Sequence, residues 1–540
     1  MQRDTQHYSP LQCARLTYES PIPAVLKDHC KIVEATEAHS IDSTVASYFP
    51  TTSHMRKVKI VSDTDAASPQ PLKVGVVLSG GQAPGGHNVI FGLFEGLKHI
   101  HPESQLFGFL GGPSGILNQQ HVEITAENIA PYKNQGGFDI IGSGRTKIES
   151  QADFKKALEC AATMNLNAIV VIGGDDSNTN AGNLAEYFHS QNSPTAVIGV
   201  PKTIDGDLKN KDIEVSFGFH TACMVYSELI GNIETDCNSA KKYYHFIRLM
   251  GRAASHIALE CALQTRPNMV LISEEVAAKN WSLSQIAGQI ADLVAKRAEH
   301  GKNFGIVLVP EGLIDFIPEV SKLIAELNDL LSKISSDSID LIRSKLSAES
   351  LSAFDFLPVT IQNQLLLDRD PHGNVQVSRI ETERLLIELA ERELARREAE
   401  GTYKGKFNAL SHFFGYEGRC SLPTNFDSKY CYVLGRTAAV LVQHNCTGMM
   451  AYAANLVMKT EDWVVGGVPI GAMCGIERRK GKEVPVVTKA LVNLNDNPFK
   501  YLADHREEWS VKDFYRNPGP IQFYGPTADE VPFTTVLEQS

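Results

Sequence analysis

Five short aliphatic runs punctuate the middle of the chain: VGVVL at 74–78, AIVVI at 168–172, AVIGV at 196–200, MVLI at 269–272 and FGIVLV at 304–309. Each is followed by a Gly-rich or acidic turn and then by a helix-like segment. Strands that are apolar at every position are covered on both faces, and such strands separated by helices form parallel sheets. The pattern predicts a doubly wound α/β architecture. Ligands of such sheets bind beyond the carboxyl ends of the strands. The segments at those ends, SGGQAPGGH, GGDDSNTNA, PKTIDGD, SEE and PEG, are therefore expected to line one crevice.

Residues 1–70 are polar, rich in His, Ser and Thr, and end in a loop-like stretch, SDTDAASPQP at 62–71. They read as an extension leaning on a body that starts at Leu72. From Glu311 to Tyr416 the pattern is mostly helical. ERLLIELAERELARREAEG (383–401) alternates Leu and Ile with Glu and Arg and stops at Gly401. Its apolar repeat lasts under about three heptads, which favours a helix packed on its own domain over a coiled-coil arm. After Tyr416 a further α/β-like stretch runs to about 495, and the tail, with NPGP and YGPT turns, reads as irregular.

With 540 residues, 43% apolar and 21% charged, the chain is expected to bury sizeable cores, which excludes a disordered linker or a disulfide miniprotein. A net charge of −12 gives no support for coating a polyanion, so no nucleic-acid partner is expected. Positive charge for an anionic ligand must be gathered locally. The ten cysteines form no CxxC pair and no zinc spacing, as reduced thiols in a reducing compartment would. The N-terminus, MQRDTQHYSPLQ, has no apolar signal region, and no apolar run approaches the about 18 residues of a membrane span. The expectation is a cytoplasmic protein that makes no membrane contact.

The loops carry the candidate chemistry. In SGGQAPGGHNVI (79–90) the glycines can bring backbone N–H groups to an anion near the start of a helix, or form a tight strand-to-helix turn; neither the GxGxxG nor the GK[ST] spacing is present. GGDDSNTNAGNLAEYF (173–188) places two adjacent carboxylates at a helix start. One acid suffices as a cap, which leaves Asp175 or Asp176 free for Mg²⁺, an ion that takes one or two carboxylates beside phosphate oxygens and water. PKTIDGD (201–207) sets Lys202, Asp205 and Asp207 after a buried strand, either as an ion-paired turn or as a general base beside a phosphate-neutralising cation. Arg248 and Arg252 flank the turn expected at Gly251, Glu311 follows a strand directly, and YEGR (416–419) adds Arg419. Arginine's planar fork suits bidentate phosphate binding. Together these residues describe phosphoryl transfer to a phosphorylated, hydroxyl-rich acceptor.

SGGQAPGGHN, GGDDSNTNA, PKTIDGD, MGR, PEG and YEGR, in this order across roughly 75–475, resemble the phosphofructokinase family. The resemblance implies two doubly wound α/β domains facing across a cleft, with an N-terminal extension and a helical insertion. On that pattern 1–70 is the extension, 71–235 the donor-binding catalytic domain and 236–317 the first part of the acceptor domain. The insertion spans 318–405, and 406–540 continues the acceptor domain into the C-terminal region.

Two positions bear on the phosphoryl donor. ATP-using members carry GGDGS and PGTIDND where this chain has GGDDS and PKTIDGD, so Asp176 and Lys202 each replace a glycine. An aspartate there fills the volume of a nucleotide's α-phosphate and opposes its charge. Two like charges at about 4 Å repel by about 4 kcal/mol at an effective dielectric of about 20, nearly three decades of affinity. The expected donor is inorganic pyrophosphate.

Carried over residue by residue, the resemblance implies that Asp205 takes the proton of the C1 hydroxyl of fructose 6-phosphate and that Asp175 holds Mg²⁺. Lys202 neutralises charge on the transferring phosphate, with Asp176 beside it, and Gly80, Gly81 and Arg145 cradle the donor. Arg252, Arg419 and Tyr416, with Glu417 and Gly418 in the same turn, clamp the sugar 6-phosphate. Glu311, Met250 and Gly251 address the sugar, while Thr203, Ile204 and Asp207 support the base loop. Lys242 and Tyr243 match positions that reach the acceptor phosphate of an adjacent subunit, so a homo-oligomer with shared sites is expected. Three other readings compete: an ATP-using member tolerating Asp176, a non-catalytic regulatory subunit, against which the intact TIDGD speaks, and an oxidoreductase, which lacks GxGxxG.

Overall fold

The computed structural model describes residues 3–36, 41–63, 69–331, 339–367, 375–479, 482–522, 524 and 528–540. Positions 64–68 of the predicted 62–71 loop, and 332–338 and 368–374 of the predicted insertion, lie outside the described residues. The chain divides into two compact units. The first comprises Met1–Ala222, Glu417–Ala490 and Ile521–Val531; the second comprises Cys223–Tyr416, Leu491–Pro520 and Pro532–Ser540. The sequence pattern had grouped 406–540 with the second domain, whereas Glu417–Ala490 returns to the first unit.

In the first unit, the main sheet runs in the order Cys30–Glu34, Val58–Ser62, Val464–Pro469, Met449–Ala454, Ala196–Thr203, Ala168–Gly173, Lys73–Leu78, Gln105–Phe109 and His121–Ile124, with the short strand Phe217–Gly218 beside the end of Ala196–Thr203, and Cys474–Arg479 and Lys482–Val487 form a separate antiparallel pair. Its centre, from Met449–Ala454 to Gln105–Phe109, is parallel, and antiparallel strands close both edges. Ala168–Gly173 is buried at every position and Ala196–Thr203 at all but its last, as their Val and Ile runs require. Cys30–Glu34 and Val58–Ser62 belong to the region expected only to lean on the body; they extend the sheet instead. Leu78 pairs with Ile172 and Gly173 with Pro201, so the three loops that begin at Ser79, Gly174 and Ile204 leave the same edge.

The second unit has a four-stranded parallel sheet in the order Met269–Val270, Gly305–Pro310, Tyr244–Leu249 and Ala409–Phe414. Phe246, Val307 and Val309 share a core with Leu323, Leu327, Phe354, Leu386 and Leu389, so the predicted helical insertion covers this sheet. Thr382–Ala399 buries Leu385, Leu386, Leu389, Ala390 and Leu394, the spacing of one helical stripe packed on its own unit. Arg248 is spent here: its Nε lies 2.7 Å from Oε2 of buried Glu383, and its guanidinium sits over Phe413. The tail is not irregular throughout. Asn497–Lys512 is a 16-residue helix with proline in its first turn, where the missing N–H costs nothing.

All ten cysteines are free thiols. Among the described residues, no helix is long and apolar enough to cross a membrane.

Candidate active site

The first loop occupies Ser79–Gly85, and the helix after it begins only at Gly86. A β-carbon on Gly85 would meet Cys431 Sγ at 2.3 Å, and one on Gly86 would meet the Phe138 ring at 2.1 Å. This helix end is therefore packed into the core, and Gly80 and Gly81 face other partners. Gly80 has φ +88, and its N–H donates to the Gly144 carbonyl at 2.8 Å, which brings Arg145 alongside. Ser177 Oγ donates to Ser79 Oγ at 2.8 Å, joining the first loop to the second.

Helix Asp175–Ser190 starts immediately after its strand, with Gly174 as N-cap and no side-chain cap. The capping role open to these acids is thus unused. Asp175 and Asp176 both lie in the first turn, where the helix dipole favours negative charge. Asn178 fixes that turn by donating to the carbonyls of Gly173 and Gly174. Each carboxylate faces a lysine from elsewhere in the unit: Lys489 Nζ is 3.2 Å from Asp175 Oδ2, and Lys147 Nζ is 3.6 Å from Asp176 Oδ2.

Lys202, at the end of its strand, is buried, and its ammonium lies 3.4 Å from where a Gly80 β-carbon would stand. Burial pulls its pKa down to about 8, aided by Arg419 and opposed by Asp205 and Asp175, with Arg145 also lowering it. Asp205 N–H donates to Thr203 Oγ1 at 3.1 Å, and Ser216 Oγ donates to the Thr203 carbonyl at 3.0 Å, so the base loop is tied down at Thr203. Ile204 is buried beneath it. Asp207 is raised to about 7 by burial and by the charges of Asp205 and Asp175, against Lys489.

Arg419 makes contacts with the first loop. Its Nε donates to the Gln82 carbonyl at 3.2 Å, and its Nη2 occupies the space of a Gly81 β-carbon, 1.5 Å away. Arg419 belongs to the first unit, as do Glu417 and Gly418, whereas Tyr416, 69% exposed, ends the Cys223–Tyr416 segment of the second.

The second unit gathers its own set at one sheet edge. Leu249, Pro310 and Phe414 are in register, so Met250, Glu311 and the segment before Tyr416 emerge together. Met250 N–H donates to the Phe414 carbonyl, and Glu311 Oε2 accepts the Gly251 N–H at 3.1 Å. Gly251 has φ +127, a backbone that side chains resist, so the turn there needs glycine. Arg252 is exposed, and its carbonyl approaches Gly312 closely. Burial raises Asp315 to about 6, with Arg252 opposing. Lys242 and Tyr243 are exposed just before the Tyr244–Leu249 strand.

Sequence reasoning missed Lys147 and Lys489. Lys147 follows the Gly-flanked GSGR, a signal that was present; Lys489 has none, lying some three hundred positions from its partner. Among the described residues, no group of three or more His, Cys, Asp or Glu side chains forms a metal cage. The site still fits Mg²⁺, because Asp175 Oδ2 is set against a positive charge, the Lys489 ammonium at 3.2 Å, and Mg²⁺ needs only one or two carboxylates beside phosphate oxygens.

The model of the family described as phosphofructokinase matches residues 73–348. The chain belongs to the phosphofructokinase family. It is 54% identical over 534 residues to pyrophosphate–fructose 6-phosphate 1-phosphotransferase subunit beta 1 of Arabidopsis thaliana, covering 98% of this chain and 94% of that one. It is 56% identical over 485 residues to the pyrophosphate–fructose 6-phosphate 1-phosphotransferase of Treponema pallidum, covering 88% and 85%. The solved pyrophosphate-dependent phosphofructokinase of Nitrosospira multiformis matches with a TM-score of 0.55 at 14% identity, covering 85% of this chain and 95% of that one, a likeness of fold. The family match begins at the strand preceding Gly80 and includes every first-unit site residue up to Asp207, together with Arg252 and Glu311.

Proposed function

We propose that this chain transfers a phosphoryl group from inorganic pyrophosphate to the C1 hydroxyl of fructose 6-phosphate, reversibly, giving fructose 1,6-bisphosphate and phosphate. The observation that carries the reading is the buried Lys202 ammonium, seated against Gly80 and electrostatically linked to Asp205 and Asp175. A buried cation among carboxylates is expensive unless an anionic ligand or transition state uses it. Relatives above 50% identity that carry the pyrophosphate activity in their names support the same donor.

In this mechanism Asp205 accepts the C1 hydroxyl proton as that oxygen bonds to one phosphorus of pyrophosphate and the bridging P–O bond breaks, releasing phosphate. Lys202 and Arg145 neutralise charge on the transferring and leaving oxygens, and the Gly80 and Gly81 backbone seats the donor. Asp175 would hold Mg²⁺, which when bound would neutralise charge on the pyrophosphate. Asp176 takes the space a nucleotide would need. Arg252, with Tyr416, binds the sugar 6-phosphate; Glu311, Met250 and Gly251 orient the sugar; Lys242 and Tyr243 serve the acceptor site of a neighbouring subunit in a cytoplasmic homo-oligomer. Thr203, Ile204 and Asp207 hold Asp205 in place. Arg419 acts on the donor side, where its guanidinium lies over Gly81.

The test compares pyrophosphate and ATP as donors with the purified chain, alongside Asp205→Asn. Turnover with pyrophosphate, reverse formation of pyrophosphate from fructose 1,6-bisphosphate and phosphate, and a loss of about 10²–10⁴-fold in Asp205→Asn are expected. Turnover with ATP alone would reject the donor, and no turnover without a second chain type would favour a regulatory role.

A further inference from the structure

The mechanism above leaves two lysines of the first-unit cluster, Lys147 and Lys489, without a task, and Lys489 is the one set against the candidate metal carboxylate. Lys489 follows the Lys482–Val487 strand, and its Nζ lies 3.2 Å from Asp175 Oδ2. The backbone on both sides of it is pinned to the catalytic loops. Val487 N–H donates to Thr179 Oγ1 at 2.8 Å, one turn into the Asp175 helix, and Ala490 N–H donates to the Asp207 carbonyl at 2.7 Å. Only the Lys489 side chain can move, and it remains about a quarter exposed, as does Asp175, so it is accessible to a soluble ligand.

We propose that Lys489 is a donor-binding residue that exchanges counterions: it neutralises Asp175 in the empty site and moves onto pyrophosphate oxygens when Mg²⁺ and pyrophosphate arrive. The exchange follows from charge. An ammonium and a divalent cation cannot both sit against one carboxylate oxygen, so an ion held by Asp175 drives Lys489 off. The anion within reach of a lysine tethered at Val487 and Ala490 is the one bound by the same ion. Lys489 is already felt at Asp207, whose pKa it lowers against burial and the charges of Asp205 and Asp175. Lys489 therefore stands in for the metal in the empty site and cooperates with it in the filled one. This rests on pyrophosphate as donor and names a residue outside all the family motifs quoted above.

The signature is a pair of opposite effects that simple damage to the fold would not produce. In Lys489→Met, Mn²⁺ alone, followed by electron paramagnetic resonance as a Mg²⁺ probe, should bind more tightly, because its competitor is gone. Pyrophosphate at saturating metal should bind about tenfold more weakly by calorimetry, the weight of one charge-assisted contact, with the KM for fructose 6-phosphate unchanged. Lys489→Arg should restore much of the pyrophosphate affinity. Unchanged pyrophosphate binding in Lys489→Met, or weaker binding of both Mn²⁺ and pyrophosphate, overturns the exchange. A wild-type protein that turns over ATP and not pyrophosphate would instead overturn the donor assignment, so the two failures are distinguishable.

Discussion

Lys147 Nζ lies 3.6 Å from Asp176 Oδ2, so the carboxylate that stands in place of a glycine is ion-paired rather than bare. The pair is partly exposed, at 29% and 43%, and such pairs contribute only about 0–1 kcal/mol. Against the about 4 kcal/mol by which two charges at about 4 Å repel, Lys147 leaves most of the barrier to an α-phosphate in place. Charge and volume are separable here. ADP should compete with pyrophosphate most strongly in Asp176→Gly, which removes both, more weakly in Asp176→Asn, which removes charge alone, and least in the wild type. Inhibition constants for ADP against pyrophosphate check the order, with a fall of about 10²–10³-fold expected for the glycine variant.

The pH dependence of Lys202 runs opposite in stability and activity. Its pKa is about 8 when folded and about 10.4 in an unfolded chain, so between those values the unfolded state binds more protons and stability from this group rises with pH. Below pH 8 the burial cost is fully present. Lys202→Met should therefore raise the melting temperature of the ligand-free protein at pH 7, and the gain should shrink at pH 10. Activity needs the charge, so kcat/KM for pyrophosphate should fall on an alkaline limb near pH 8. Lys202→Arg, whose guanidinium does not titrate in this range, should move that limb to higher pH.

Much of this was legible because the informative residues sit at the ends of uninterrupted apolar runs. Val74–Leu78, Ala168–Ile172 and Ala196–Val200 announce buried parallel strands, and a parallel sheet delivers Gly80, Asp175 and Asp205 to one edge without further information. The strands Cys30–Glu34 and Val58–Ser62 gave no such signal. They are short, lie at a sheet edge and bury only some of their residues, so they resemble the polar extension around them. Arg419 was legible as a candidate residue but its contact with the Gln82 carbonyl was not, since no local pattern reveals that the chain crosses back to the first unit at Glu417. Lys489 is invisible for the same reason: only tertiary packing brings it to Asp175.

Gly81 and Arg419 offer a check on the donor-side role proposed for Arg419. Because the atom nearest a Gly81 β-carbon is the mobile end of a side chain, Gly81→Ala should cost little stability, yet it must push the Arg419 guanidinium aside. If Arg419 serves the donor, as its contact with the Gln82 carbonyl indicates, Gly81→Ala and Arg419→Met should each raise the KM for pyrophosphate. Neither should alter the KM for fructose 6-phosphate as strongly. Steady-state kinetics with each substrate varied in turn distinguishes this from the sugar-phosphate role, which would produce the reverse split.

The acceptor side has a counterpart in which the obstacle is backbone. A β-carbon on Gly312 would stand 1.8 Å from the Arg252 carbonyl oxygen, too close for any rotamer to relieve, although Gly312 itself has an ordinary φ of −83. The glycine is required by the approach of the two segments. Gly312→Ala must separate the Glu311 turn from the Arg252 turn, which also strains the hydrogen bond between Glu311 and the Gly251 N–H. Overpacking of this kind costs about 1–3 kcal/mol, so a lower melting temperature is expected. The functional effect should fall on the sugar phosphate: a KM for fructose 6-phosphate raised about tenfold or more, with the KM for pyrophosphate near the wild-type value. Glu311→Gln keeps an acceptor for the Gly251 N–H, so it should preserve the melting temperature while still weakening sugar binding. If Gly312→Ala instead raised only the KM for pyrophosphate, Arg252 would not belong to the acceptor site.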